Sequence, residues 1–265
     1  MEQIGDLLLE HLAPAGRARP FPLLFVHGMW GGSWYLRSYL DAAARDGWNA
    51  WAVNLRGHHG SRPVPDLGRV SVLDYVEDVR DCLRALGEAV VIGHSMGGLV
   101  AQKVAEGGGV KAAVVLTSAA PRGIVVLRWA VLSRMGRYLG PMLSGRAFGV
   151  TAAHARALLL NRIAPDRQAV LYSQFGPESG RAARELAFGL VPVDARRVRC
   201  PVLVVGAEHD VITPPAVQTT IARRYGAEYL EAAGHGHMLM LEDDWEPPFN
   251  KILVWLGRAT HKEKA

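Results

Sequence analysis

Short apolar runs that end at glycine or a polar residue alternate along this chain with longer segments of helical period. Five runs carry a strand signature: PLLFVHG (22 to 28), NAWAVNL (49 to 55), AVVIGHS (89 to 95), KAAVVLTS (111 to 118) and PVLVVGA (201 to 207). They are apolar almost throughout, as strands covered on both faces must be, so the pattern predicts an α/β fold with a parallel sheet and crossover helices. SWYLRSYLDAAARDG reads as a helix from a capping Ser33 to Gly47. In SVLDYVEDVRDCLRALG, Ser71 and Asp74 form a capping arrangement and Gly87 closes the helix. Its Val72, Tyr75, Val76, Val79, Leu83 and Leu86 fall on one stripe. MGGLVAQKVAEGGG supplies another helix directly after Ser95.

The strand pattern stops at Ala120 and resumes near Val198. The residues between hold helical patterns, including IVVLRWAVLSRMGRYLGPML, broken by Pro141, Gly145, Pro165 and Pro177. Such a stretch is too long for a mere loop. The expected organisation is therefore an α/β core from 1–120 and 198–265 with a helical cap at 121–197. The closing HKEKA reads as a frayed tail.

Composition fits one large core: 265 residues at 49% hydrophobic content. The first residues, MEQIGDLLLEHLAP, lack a basic start, and Glu10 and His11 interrupt their apolar run, so they do not read as a secretory signal. No apolar stretch approaches the length of a bilayer span. The two cysteines, Cys82 and Cys200, read as reduced core thiols. A cytoplasmic protein with no integral membrane segment is expected.

The net charge of +5 is unevenly placed. Residues 121 to 200 hold thirteen Arg and no Lys against Asp166, Glu178, Glu185 and Asp194, leaving +9 there and −4 elsewhere. The arginines lie at helical spacings, which suits a solvated face better than an anion site, and no nucleic-acid motif accompanies them. No GxGxxG or GxxxxGK[ST] fingerprint occurs, so neither a dinucleotide nor a nucleotide phosphate is expected as cofactor or substrate.

The chemistry concentrates at VVIGHSMGG (90 to 98). A serine hydroxyl is a poor nucleophile at neutral pH and needs a base to take its proton, with a third group to fix that base. A sharp strand-to-helix turn lifts Ser95 above the sheet edge, and the crowding demands small neighbours, here Gly93, Gly97 and Gly98. The helix start turns the Met96 N–H and the positive dipole end toward the place where an oxyanion forms. A second donor must come from another strand end.

With these residues the chain resembles an α/β-hydrolase-fold serine hydrolase of the esterase and lipase type, over about 1 to 120 and 198 to 258. In that family an HG pair after the first long strand forms the oxyanion loop, matched here by FVHGMWGGSW. The resemblance assigns the second donor to Met29, with Trp30 as runner-up; His27 and His94 flank the site, where a histidine is more often a hydrogen-bonded support than a base. NLRGHHGS is similar to the family's DLRGHGxS loop, with Asn54 in place of the acid and His59 where glycine is common. VVGAEHDVITPP supplies Asp210 as the acid, a better match than Glu208. EAAGHGHMLMLE offers His235 and His237 as base; Glu242, five residues after His237, favours His237. The order serine, acid, histidine fits the fold.

The resemblance implies an esterase without cofactor or metal, acting on small-molecule carboxylic esters with an apolar short-to-medium acyl or aryl part. Trp30, Trp34, Trp129, Met29, Met96, Met135 and Met142 are candidates to line an apolar pocket, with Trp30, His27 and Trp129 named as substrate contacts. The cap arginines leave room for an anionic group on the substrate. Each residue also has a purely structural use: Ser95 in a tight turn, Asp210 as a helix cap, the tryptophans and methionines in the core. His58, His59, His235 and His237 lack the denser spacing of a hydrolytic metal centre. Rival functions are a thioesterase, lactonase, C–C bond hydrolase or cofactor-free haloperoxidase on the same triad, or a non-catalytic receptor.

Overall fold

A computed structural model of the chain describes residues 1–124 and 136–261. Eight strands form one sheet: β1 (Glu2–Ile4), β2 (Leu7–Leu12), β3 (Leu23–Val26), β4 (Ala50–Val53), β5 (Ala89–His94), β6 (Val110–Leu116), β7 (Val202–Ala207) and β8 (Glu228–Ala232). Their order is β1-β2-β4-β3-β5-β6-β7-β8. β2 pairs antiparallel with both β1 and β4, and every other pairing is parallel. The principal helices are α1 (Arg37–Arg45), α2 (Val72–Leu86), α3 (Met96–Ala105), α4 (Leu139–Ser144), α5 (Pro165–Tyr172), α6 (Gly180–Ala187), α7 (Pro215–Tyr225) and α8 (Glu246–Thr260). None is long and apolar enough to cross a membrane.

The five predicted strands form β3 to β7, and their two-residue period explains why they are apolar throughout. On β5, Val90 and Ile92 join the core beneath α1 and α8, packed with Tyr39, Leu40, Phe249 and Ile252. Val91 joins the opposite core, packed with Val76 and Val79 of α2 and Leu99 and Val104 of α3. Alternate side chains thus enter two separate cores, and neither face tolerates a polar position. α2 is closed as the sequence predicts, by a Ser71–Asp74 capping box and by Gly87 at φ 79°.

Three strands lie outside the sequence reading. β1 and β2 form an antiparallel edge in which only Leu7 and Leu9 are fully buried, and β8 buries little beyond Ala232. Edge strands present half their surface to solvent, so their apolar signal is weak. Ser33 also departs from its expected role as helix cap. The chain enters α1 through a 3-10 turn, Ser33–Leu36, without a side-chain cap bond. The Ser33 hydroxyl instead donates to Glu10 and accepts from Asn54, whose side-chain oxygen accepts the Ser33 N–H at 2.8 Å. Asn54 therefore serves this buried contact as both donor and acceptor, which a carboxylate cannot do.

Between β6 and β7 the described residues add no strand to the sheet. They hold α4, a helical turn at Ala152–His154 running into a π-helical turn at Ala155–Leu159, then α5 and α6. One isolated antiparallel bridge, Phe148 to Glu178, ties the segment across itself. Several of its polar side chains grip the core. Arg162 donates to Gly234 O, Arg167 to Leu241 O and Asn161 to His209 O, each at 3.0 Å. These arginines hold loop backbone around His237 in addition to facing solvent.

Candidate active site

Ser95 sits between β5 and α3 at φ 54°, ψ −116°, a backbone region that side chains rarely occupy. Crowding enforces the turn. A Cβ on Gly93 would lie 2.1 Å from Gly97 O, and one on Gly97 would lie 2.3 Å from Val26 O. Both contacts are with backbone, so no side-chain rearrangement relieves them. The Ser95 N–H donates to Leu116 O at 3.0 Å, fixing the turn against the next strand.

His237 and Asp210 meet Ser95 there. His237 Nε2 lies 3.0 Å from Ser95 Oγ, and its Nδ1 lies 2.9 Å from Asp210 Oδ2. Asp210 also accepts from the Ile212 N–H (2.8 Å), the Thr213 N–H (3.0 Å) and the Thr213 hydroxyl (2.8 Å). Burial would raise its pKa, but His237 and the Thr213 donors outweigh burial and hold it below the usual carboxylate value. An ionised Asp210 requires Nδ1 of His237 to carry the proton, which leaves Nε2 to accept from the Ser95 hydroxyl. Asp210 does not cap α7, whose N-cap is Pro214.

His235 is directed elsewhere: its ring nitrogens lie 2.8 Å from Ala233 O and 2.9 Å from Asp244 O. Glu242, just after the 3-10 turn Leu239–Leu241 of the same loop, accepts the Gly236 N–H at 2.8 Å and so braces the residue before His237. The His237 carbonyl is held from the other side by His94 Nε2 (3.0 Å) and the Thr117 hydroxyl (3.2 Å). Thr117 adopts φ 40°. Thr117 was not singled out from sequence, and the partner of the supporting His94 was not legible there, since only the sheet order brings β5, β6 and the last loop together.

Gly28 approaches Ser95 so closely that a Cβ on it would lie 2.9 Å from Ser95 Cβ, and the N–H groups of the next residue, Met29, and of Met96 have no hydrogen-bond partner among the described residues. Met96 opens α3, where free amides and the helix dipole favour negative charge. The Trp30 N–H is already engaged, 3.3 Å from Glu178 Oε2, so the runner-up donor is not free. His27 corrects an expectation. Its ring is fully buried, Nδ1 donates to Gly28 O at 2.8 Å and Nε2 accepts the Leu55 N–H at 3.1 Å, leaving no polar atom for a substrate. Burial, then the neighbouring His58, lowers its pKa to about 3, so the ring stays neutral and supports the turn from beneath.

Aromatic residues gather beside this turn. Trp30 meets Phe148 edge-on at 5.8 Å between centroids, and Trp34 meets Phe175 at 5.7 Å. Met29 is half-buried, while Met142 is core. Trp129 and Met135 lie outside the described residues. Among the described residues no group of three or more His, Cys, Asp or Glu side chains is arranged to hold a metal ion.

The fold is shared with solved hydrolases. An esterase from Thermogutta terrifontis superposes with a TM-score of 0.74 at 22% identity, covering 96% of this chain and 94% of that one. A monoacylglycerol lipase from Paleococcus ferrophilus gives 0.75 at 19%, covering 96% and 99%. Est816, described as an N-acyl homoserine lactone degrading enzyme, gives 0.67 at 22%, covering 94% and 96%. At these identities the likeness concerns the fold. No curated protein sequence matches significantly. The model of the alpha/beta hydrolase family, by contrast, matches residues 23–247, a span that runs from β3 through Ser95, Asp210 and His237 to the start of α8. On that match, across most of its length, this chain belongs to the alpha/beta hydrolase family.

Proposed function

We propose that the protein is a serine hydrolase that cleaves carboxylic esters with an apolar short-to-medium acyl or aryl part through an acyl-enzyme. The observation that carries this reading is the unbroken chain from Asp210 through His237 to the Ser95 hydroxyl, with contacts of 2.9 and 3.0 Å. His237 takes the Ser95 proton as Oγ attacks the carbonyl carbon. The tetrahedral oxyanion is received by the Met29 and Met96 amides, and Asp210 stabilises the imidazolium. The protonated His237 then passes its proton to the leaving alkoxide. Water repeats the sequence on the acyl-enzyme and frees the acid.

The aromatic surroundings of the turn, Trp30 with Phe148 and Trp34 with Phe175, support an apolar acyl or aryl group. The grip of Arg162 and Arg167 on loop carbonyls favours a neutral ester over one with an anionic group. The test is labelling with a fluorophosphonate probe, followed by turnover of p-nitrophenyl esters of graded chain length. Labelling at Ser95 with turnover supports the ester hydrolase. Labelling without ester turnover redirects the reading to a thioester, lactone or other acyl substrate. No labelling of folded protein overturns it in favour of a receptor.

A further inference from the structure

Glu178 is a fully buried carboxylate that the hydrolytic cycle above does not use. Three donors hydrogen-bond to it, His58 lies in ion-pair range, and no acceptor approaches. Oε1 accepts the Tyr75 hydroxyl and the Ser179 N–H, both at 2.6 Å, while Oε2 lies 3.3 Å from both the Trp30 N–H and His58 Nε2. His58 Nδ1 faces Arg56 O at 2.9 Å, and its Nε2 lies within ion-pair range of Glu178 Oε2 without making a hydrogen bond. Burial would lower the His58 pKa, but Glu178 overrides it and raises the pKa. Burial likewise opposes charge on Glu178, yet His58, Tyr75 and the Ser179 amide hold its pKa below the usual carboxylate value.

The contact with Trp30 bears on the site. Residues 28 to 31 form a turn in which the Gly31 N–H donates to Gly28 O at 3.4 Å. Trp30, third in that turn, adopts φ 60°, where glycine is the usual occupant and a bulky side chain is strained. The segment between β6 and β7 clamps the residue on both backbone sides. Glu178 takes the Trp30 N–H, and the Gly176 N–H donates to Trp30 O at 2.9 Å. The Phe148 bridge to Glu178 fixes that clamp and sets Phe148 against the Trp30 ring.

We propose that Glu178 is a positioning residue of the oxyanion site: by binding the Trp30 N–H it holds the Met29–Trp30 peptide in its strained orientation and so keeps the Met29 amide aimed at Ser95. This inference rests on Met29 as an oxyanion donor in the proposed hydrolase. Without the carboxylate, rotation of that peptide relieves the strain at Trp30 and loosens the turn that carries Met29. Glutamine cannot substitute, because its NH2 group would face donors on one side or the other.

The experiment compares wild type, Glu178→Gln and Glu178→Asp, with rates expressed per fluorophosphonate-labelled Ser95 so that only folded, reactive sites count. Glu178→Asp keeps the charge beside His58 and recedes by one methylene, which preserves a folded variant if the amide does not fold. For p-nitrophenyl butyrate, kcat is expected to fall about 10- to 100-fold in Glu178→Gln and less in Glu178→Asp, with KM within about threefold of wild type. Inhibition by an alkyl trifluoromethyl ketone, whose serine adduct carries an oxyanion, is expected to weaken by the same factor as kcat. Unchanged kcat per labelled site, or a loss confined to KM or to thermal stability, overturns the proposal. Wild type that fails to label overturns the hydrolase reading itself, and this inference with it.

Discussion

His94 Nε2 donates to the backbone carbonyl of His237 at 3.0 Å, joining the residue before the proposed nucleophile to the proposed base. Burial, then the nearby His237, lowers the His94 pKa to about 3, so the ring is neutral and its Nδ1 accepts from the Tyr35 hydroxyl at 2.9 Å. The same hydroxyl oxygen accepts the Gly28 N–H. One buried chain of hydrogen bonds thus links the turn at Gly28 to Gly31, the strand that leads to Ser95 and the loop that carries His237.

Tyr35→Phe removes the middle of that chain and leaves the Gly28 N–H and His94 Nδ1 without partners. Each unsatisfied buried group costs about 1 to 3 kcal/mol. The expected result is a loss of about 2 kcal/mol or more in urea denaturation, together with a several-fold fall in kcat. Stability equal to wild type would show that the chain carries no weight.

Asp210→Asn replaces an acceptor with a group that can donate to His237 Nδ1, which places the His237 proton on Nε2 and removes the acceptor for the Ser95 hydroxyl. By analogy with serine proteases, turnover is expected to fall about 10³- to 10⁴-fold with little change in KM. Steady-state hydrolysis of a p-nitrophenyl ester measures this. A loss under tenfold would detach Asp210 from the proposed chemistry.

The strained backbone at Ser95 predicts a trade between stability and activity. Ser95→Gly relieves the cost of φ 54°, worth about 1 to 2 kcal/mol, and is expected to raise the thermal midpoint by about 2 to 6 °C while abolishing turnover. Ser95→Ala retains the strain and is expected to lose turnover without that gain. Calorimetry of the two variants, run side by side, decides; equal midpoints contradict the assignment of strain.

Stability is expected to fall steeply in mild acid. His27 and His94 both have folded pKa values lowered to about 3 from 6.5, so below pH 6.5 the unfolded chain binds protons that the folded chain refuses. Their stabilising contribution is complete above pH 6.5 and is lost progressively toward pH 3, at about 1.4 kcal/mol per pH unit for each histidine. Urea unfolding at pH 7, 6 and 5 tests the slope, and His94→Gln should remove about half of it. A flat profile across that range would contradict neutral burial of both rings.

The position of Ser95 was legible because it rests on local chemistry. A β-branched run followed by glycine, serine and two further glycines has few backbone solutions, and Gly93 and Gly97 face backbone that no side chain can share. Asp210 and the pair His235 and His237 were legible through their place after late strands. The choice between the two histidines rested on the spacing to Glu242, which proves to brace Gly236. The edge strands β1 and β8 and the neighbouring β2 were not legible, because strands that face solvent carry little apolar pattern. His27 was set beside the substrate from its neighbours in the chain, whereas its ring turns inward to Gly28 O and the Leu55 N–H.

By itself the sequence determined the alternation of strands and helices, the small residues that a sharp turn at Ser95 needs and the residue types available for chemistry, since all three are written in neighbouring residues. Tertiary structure decided that His237 rather than His235 meets Ser95, that the Trp30 amide is spent on Glu178 while the Met29 amide has no partner among the described residues, and that His94 anchors the loop carrying His237. Those outcomes depend on the order in which β3, β5, β6 and β7 lie side by side, and strand order is set by burying two apolar faces at once rather than by any local pattern.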